Sequence, residues 1–330
     1  ILFLTYTNTK GIKGGKIIQT TFTSAKLLSL FGLIIFGFLL AKQSFWAQNW
    51  ETGFNAMQDM GARDATGQLQ PTGWNSISGA VLLGAIAAAM VGSIFSSDAW
   101  NNVTFIAGEI KNPRRNIGLS LFLGTLIVTI IYISANLMYL HVLPLEGLAF
   151  AKDDRVAVVV ANDIFGAAGT TLIAIMIMIS TFGCNNGLIL AGARVYYSMA
   201  KDGLFFRQAG ELNNNAVPGY ALWIQSVVAC LLCLSGSYGN LLDMVAFVVV
   251  IFYIFTIVGI FILRKKAPDA DRPYKAFGYP VLPVLYILLA IAFCIGLVWT
   301  KPTYALWGAA IALAGIPLYY IAVRNKKGAA

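Results

Sequence analysis

Eight apolar runs, each near or beyond the length of about 20 residues that carries a helix across a bilayer, dominate the chain. They cover residues 17–41, 78–111, 117–140, 165–199, 220–236, 241–263, 281–299 and 303–322. Inside hydrocarbon every backbone N–H and C=O must be satisfied within the segment or its neighbours, so spans of this composition are expected to be helices. The expected fold class is all-α and integral to a membrane. One polytopic transmembrane domain, 1–330, would hold eight transmembrane segments between 17 and 322. The composition agrees, with 58% of residues hydrophobic and only 11% charged. Residues 1–6, "ILFLTY", read as the tail of a further apolar helix, and neither an initiator Met nor a signal pattern precedes them. The expectation is a protein truncated at its N-terminus.

A net charge of +9 could suit a nucleic acid, but the distribution of the charge argues for a membrane topology instead. Taken alternately, one set of loops carries Lys10, Lys13, Lys16, Lys111, Arg114, Arg115, Arg194, Lys201, Arg207, Arg264, Lys265, Lys266, Arg272, Lys275, Arg324, Lys326 and Lys327. The other set carries Lys42, Arg63, Lys152, Arg155 and Lys301. Seventeen against five places the first set, and the C-terminus with it, on the cytoplasmic side. Both ends of the eight segments then face the same compartment, as an even number requires. The expected localisation is the cell membrane, with no nucleic-acid partner.

Catalytic and metal-binding signals are weak. Cys184, Cys230, Cys233 and Cys294 all fall in apolar runs, and the Cys230/Cys233 pair lacks a second Cys or His pair to complete a zinc site. His141 is the single histidine, so neither a His-based metal site nor a His-centred dyad is supported. The 32 glycines are scattered and form no phosphate loop. The expectation is no enzyme, no metal and no cofactor. An integral membrane transferase would need His, Asp or Glu clustered at one interface, and a channel would need a polar stripe repeated along several helices.

The polar residues inside the apolar runs carry more. A continuous helix over 78–111 would be about 50 Å long, against about 30 Å of hydrocarbon. Within it stands "GSIFSSDAWNNVTF", where Ser96, Ser97, Asp98 and Ala99 are small or polar and compete with helical backbone bonding. Irregular backbone at membrane depth persists only where it lines a cavity or is buried in protein. A half-helix, a polar break and a second short half-helix starting near Trp100 is one reading, typical of a discontinuous transporter helix. A kinked helix with Asp98 capping a local bend is the other. Phe95 and Trp100 read as packing residues, although an aromatic beside a break can also gate it.

Two further sites stand out. In "STFGCNNGLILAGAR" Ser180, Cys184 and Gly187 share one helical stripe with Thr181 and Asn185 beside it, a pattern that serves close helix packing or binding equally well. Lys26, in "TFTSAKLLSLFG", lies about 15 Å from the cytoplasmic end of its helix. It either snorkels to the interface or is a buried cation facing the helix bundle.

"IFSSDAWNNVTFIAGEIKNPRRNIG" resembles the sixth transmembrane segment of the L-type amino acid transporter family, within the amino acid, polyamine and organocation (APC) superfamily. Phe95, Asp98, Ala99, Trp100, Glu109, Asn112 and Pro113 match the family pattern in order. "FTSAKLL" resembles the fifth segment, "STFGCNNG" and "ARVYYSMAKDG" the eighth, and "LRKKAPDADRPYKAFGYPVLPVLYI" the link from the tenth to the eleventh. The resemblance implies a LeuT-type fold, five helices and an inverted repeat of five plus two more, here from the end of the fourth helix through the twelfth. The family's first segment, which binds the substrate carboxylate, is then absent from this sequence.

For function the resemblance implies a sodium-independent secondary amino acid transporter that exchanges substrates by alternating access, or alternatively a proton-coupled symporter. Substrate contact would come from Ile94, Phe95, Ser96, Ser97, Asp98, Trp100 and Asn101, with carbonyls of the break meeting the α-amino group and Phe95 closing over the substrate. Lys26 would tie the fifth segment to the first and the eighth, with Ser180 and Thr181 as partners, while Cys184 and Asn185 would edge the pocket. Ser97 stands where many relatives carry a larger residue and Asn185 where they often carry a small apolar one, which implies a roomier and more polar pocket. Asp98 replaces a common glycine, and a carboxylate within about 4 to 6 Å of an ammonium favours amines or cationic side chains. The implied partners are a small amino acid substrate and the lipid bilayer, with a single-span accessory subunit left open.

Overall fold

A computed structural model describes residues 1–330 other than 52, 66, 67, 153, 154, 235–237, 273–275 and 328–330. The side chains of 12–16, 106, 108, 109, 238–240, 318 and 322–327 also lie outside the description. Of the residues singled out above, Lys13, Lys16, Glu109, Lys275, Arg324, Lys326 and Lys327 therefore fall outside the described residues, wholly or in their side chains.

In chain order the helices are α1 (Leu2–Thr9), α2 (Ile12–Leu40), α3 (Trp46–Asn49), α4 (Gly79–Ser96), α5 (Pro113–Val142), α6 (Leu145–Ala149), α7 (Val156–Phe165), α8 (Ala167–Lys201), α9 (Gly219–Cys233), α10 (Tyr238–Lys266), α11 (Val281–Thr300) and α12 (Pro302–Lys327). A 3-10 helix, Asn102–Glu109, follows α4. Among the described residues seven helices are long and apolar enough to cross a membrane: α2, α4, α5, α8, α10, α11 and α12. No more than 17% of the most apolar stretch of any of them is buried. Large apolar side chains such as Leu28, Leu39, Phe122 and Trp299 stand exposed, which suits a lipid surround and not water.

The eighth expected span is the run 220–236, whose described part forms α9, 15 residues and about 22 Å at 1.5 Å per residue; its residues 235 and 236 lie outside the described residues. The fold is all-helical, as expected, with a small addition in the loop before α4. There two antiparallel two-residue pairs form, β1 (Met57–Gln58) with β4 (Asn75–Ser76) and β2 (Ala62–Arg63) with β3 (Leu69–Gln70).

Asp59 organises that loop. Its carboxylate accepts from the N–H of Gly61 at 2.8 Å, the N–H and hydroxyl of Thr72 at 2.9 and 2.8 Å, and the N–H of Gly73 at 2.9 Å. Desolvation pushes the carboxyl up, but the donors of Gly73, Gly61 and Thr72 together outweigh it and hold the group down at about 2. A depressed carboxyl adds stability above its unfolded value near about 3.9 and loses it as pH falls through the folded value. Amide exchange at Thr72 and Gly73 is therefore expected to speed up between about pH 4 and pH 2 beyond its intrinsic pH dependence. In Asp59→Asn that extra acceleration should vanish, and a retained step would assign it to another group.

The helices gather into two compact units, one of residues 1–77, 124–190 and 214–217 and one of 78–123, 191–213 and 218–330. In the first, Leu33 of α2, Met138 and Val142 of α5, Val160 and Ala161 of α7, and Ile173 of α8 form a core with Leu143. The chain reverses between α7 and α8 at Gly166, whose φ of 64° is cheap only without a Cβ. Asn49 ties the end of α5 down: its Nδ2 donates to the carbonyls of Leu140 and Leu143, both at 2.8 Å, and its Oδ1 accepts from the N–H of Leu145 at 2.9 Å. These bonds satisfy helix-end carbonyls that otherwise have no partner.

In the second unit α10 packs on α4, α11 and α12, and α11 packs on α4 and α12. Ala87 and Val91, Ala246, Phe247 and Val250, Ala290, Phe293 and Leu297, and Ala305 form its buried core. At one edge the Asp243 carboxylate, nearly buried, receives both contacts of the Lys301 ammonium at 2.7 and 2.9 Å. A cation at the junction of α11 and α12 is thereby fastened to the start of α10.

Candidate substrate site at a broken helix

α4 ends because its own side chains take over the last carbonyls. The Ser97 hydroxyl donates to the carbonyls of Ser93 at 2.8 Å and Ile94 at 3.1 Å, and the Ser96 hydroxyl to Ser93 at 3.1 Å. The N–H of Asp98 reaches back only three residues, to the Phe95 carbonyl at 3.2 Å. Ala99 then has a φ of 63°, in the left-handed region that a non-glycine residue enters at a cost. A turn through Asn101 leads into the 3-10 helix, where Thr104 closes on the Asn101 carbonyl with its N–H at 2.9 Å and its hydroxyl at 2.7 Å. The break is present, at the residues where the sequence interrupts its apolar run. Its second half is 3-10 and not α.

Beside the break lies a cavity of about 300 Å³. Met90, Ile94, Ser97, Asp98 and Trp100 line it from the broken segment, Val250 and Tyr253 from α10, and Tyr286, Leu289, Ala290 and Phe293 from α11. The walls are mostly apolar, with a few convergent polar groups, as in small-molecule sites generally. The Tyr253 hydroxyl donates to Asp98 Oδ1, and the Trp100 and Tyr253 rings lie 5.8 Å apart, tilted. Among the described residues no basic side chain lines the cavity. One half-buried carboxylate framed by Trp and Tyr rings is equipped to receive an ammonium, by ion pairing and by cation–π attraction.

Of the residues expected to touch substrate, Ile94, Ser97, Asp98 and Trp100 share this cavity, while Phe95, Ser96 and Asn101 do not line it. The Ile94 and Phe95 carbonyls are already engaged by Ser97 and Asp98, although a carbonyl has two lone pairs and can accept again. Tyr253 and Tyr286 were not legible as site residues. Each is one hydroxyl inside a strongly apolar run, "VVVIFYIF" and "VLYILL", and only the fold turns it toward Asp98.

The other expected residues lie in the first unit. α2 and α8 run antiparallel there: Gln19 sits against Gly187, Phe22 against Gly183, and Leu33 shares a cluster with Ile173. A Cβ on Gly183 would lie 2.5 Å from that of Phe22, so glycine is what permits the approach. This register puts Lys26 level with Ile179 and Ser180. Lys26 and Ser180 are both half-buried, but among the described residues no hydrogen bond joins them. Thr181 returns its hydroxyl to its own helix, to the carbonyls of Ile177 at 2.9 Å and Met178 at 3.1 Å. Cys184 and Asn185 are exposed, and it is the neighbouring Asn186 that is fully buried, accepting from Asn8 Nδ2 of α1 at 3.0 Å. That pair spans 178 residues and has no signature in sequence spacing.

A broken membrane-length helix beside a carboxylate-bearing cavity is the arrangement expected at the substrate site of a carrier with discontinuous helices. Residues 1–322 match the family described as amino acid permease, and the chain belongs to that family, in the APC superfamily. It is 30% identical over 325 residues to the serine/threonine exchanger SteT of Bacillus subtilis (strain 168), covering 97% of this chain and 67% of that protein. It is 26% identical to the human b(0,+)-type amino acid transporter 1, covering 99% of this chain and 62% of the relative. It is 27% identical to the mouse large neutral amino acids transporter small subunit 2, covering 98% of this chain and 56% of the relative. The chain thus spans little more than half to two thirds of the length of these relatives.

Proposed function

We propose that this protein exchanges amino acids across the cell membrane by alternating access, without sodium. The observation that carries the reading is Asp98, a half-buried carboxylate at the break of α4, facing an apolar cavity with Trp100 and Tyr253. An amino acid brings an ammonium to such a place, and the break offers carbonyls beside it. Family membership supports a LeuT-type fold of five helices and an inverted repeat of five. The relative named a serine/threonine exchanger supports exchange. The lysine in α2, level with Ser180 of α8, supports a fixed cation in place of sodium.

Labelled amino acid entering liposomes against an unlabelled internal pool, with the full-length protein reconstituted, tests the proposal. Counterflow that needs internal amino acid and ignores sodium is the expected result. A proton-coupled symporter is the second reading, favoured by one observation: a carboxylate in the cavity bonded to a phenol is a group able to carry a proton. Uptake into empty liposomes driven by an inward proton gradient would select it. A single-span accessory subunit would appear as a second protein on purification from the native membrane.

Orientation is part of the proposal and rests on the seventeen-to-five distribution of Lys and Arg. Met60 is 75% exposed in the loop before α4, and Asp269 is exposed after α10. Met60→Cys, on a cysteine-free background, is expected to react with an impermeant maleimide in intact cells, and Asp269→Cys only after lysis. The reverse pattern would place the C-terminus outside.

A further inference from the structure

α10 ends with Arg264, Lys265 and Lys266 in its last turn, and beyond it a cavity of about 450 Å³ opens, separate from the one at Asp98. Arg264, Pro268, Arg272, Ala276 and Tyr279 line it. Two arginines line the space, and no carboxylate does among the described residues. Arg272 is positioned by backbone: its guanidinium donates to the carbonyls of Ala267, Pro268 and Ala270. Arg264 lies over the Tyr279 ring, 3.6 Å from its centroid, and has no hydrogen-bonded or ionic partner among the described residues. The adjacent Asp271 is turned to Arg114 at 2.8 Å. A half-buried guanidinium with no hydrogen-bonded or ionic partner among the described residues, sharing a cavity with a second arginine, suits an anion.

The surroundings say what kind of anion. Leu263, Phe277, Val281 and Leu282 adjoin the cavity in sequence and stand exposed by 57%, 82%, 68% and 46%. These are apolar side chains at the ends of two membrane-length helices, where acyl chains begin. We infer that the cavity binds the phosphate of an anionic phospholipid. The planar guanidinium fork matches phosphate oxygens two at a time, and Lys265 and Lys266 add field that favours a net negative headgroup over a zwitterionic one. The exchange proposal enters only through orientation, which assigns the lipid to the cytoplasmic leaflet.

The test uses the purified full-length protein and reads lipid retention by mass spectrometry together with the thermal unfolding midpoint. Both readouts are independent of transport, so a failure of the exchange reading leaves them intact. Phosphatidylglycerol is expected to co-purify and to raise the midpoint, and phosphatidylcholine to do neither. Arg264→Gln should cut retained phosphatidylglycerol about tenfold, the equivalent of about 1.4 kcal/mol, and abolish the rise in midpoint. Arg264→Lys keeps the charge without the fork and should fall between. Equal protection by phosphatidylcholine, or unchanged retention in both variants, overturns the inference. Protection by inorganic phosphate alone, with no gain from the lipid, overturns the lipid assignment in favour of a free anion.

Discussion

Asp98→Leu in the full-length protein is expected to abolish exchange of every substrate, whereas Asp98→Gly should spare neutral amino acids and weaken cationic ones about tenfold or more. The two outcomes separate the backbone of the break from the carboxylate. Glycine accepts irregular backbone, so the turn through Ala99, with its φ of 63°, survives Asp98→Gly. Leucine is a strong helix former and carries bulk into a cavity of about 300 Å³, so it both favours re-forming the turn and fills the space. The carboxylate itself matters most to a substrate with a second positive charge, because an ion pair shielded from water loses at least about 1.4 kcal/mol when one partner is removed. Tyr253→Phe provides the control. It removes the hydroxyl that now occupies Asp98, so cationic substrates should bind no more weakly than before. An Asp98→Gly protein unchanged toward every substrate would remove the carboxylate from selection. If Asp98→Leu were equally silent, the break would be an ordinary kink without a site.

The long helices were legible because hydrocarbon leaves the backbone few options. The run 117–140 becomes Pro113–Val142 and the run 165–199 becomes Ala167–Lys201. The helices outrun the apolar stretches because charged residues such as Arg114 and Lys201 continue the helix beyond the lipid. What was missed is shorter and depends on tertiary contact. "VAVVVANDIF", rich in β-branched residues and too short to span, carries no signal above its propensities, yet it forms α7 because Val160 and Ala161 are buried against α2, α5 and α8. Likewise the strands in the loop before α4 exist through Asp59, whose bonds to Gly61, Thr72 and Gly73 join positions up to 14 residues apart.

The site divides the same way. Asp98 and Trp100 were legible because polar residues interrupt an apolar run, and such an interruption needs a cavity. Tyr253 and Tyr286 were not, since a lone tyrosine in an apolar helix packs against lipid as readily as against a site. In the first unit the buried asparagine is Asn186, next to the Asn185 that spacing picked out, and its partner Asn8 is found only by folding. Period and composition report what a segment can bury. They do not report which distant residue it will meet.

Lys26→Ala is expected to slow exchange about tenfold or more while leaving equilibrium substrate binding nearly unchanged and raising thermal stability. The three effects follow from one placement. α2 and α8 pair Gln19 with Gly187 and Phe22 with Gly183, so one further turn sets Lys26 beside Ile179 and Ser180, and the described residues that line the Asp98 cavity do not include it. A lysine inside a membrane helix costs about 2.5–3.5 kcal/mol by insertion measurements, and among the described residues Lys26 recovers none of this through an ion pair or hydrogen bond. Removing it should therefore stabilise the resting protein. A residue that costs stability and is nevertheless needed for turnover acts in another conformation, where α2 and α8 have moved and the ammonium finds the Ser180 hydroxyl. Ser180→Ala should then slow exchange by itself, and adding it to Lys26→Ala should cost nothing further, an interaction of about 0.5–3 kcal/mol in the double-mutant cycle. If exchange in Lys26→Ala matched the parent at equal expression, the ammonium would simply reach the interface along its own stem. If the two substitutions were additive, Lys26 would act without Ser180, and the link between α2 and α8 would have to run through other residues.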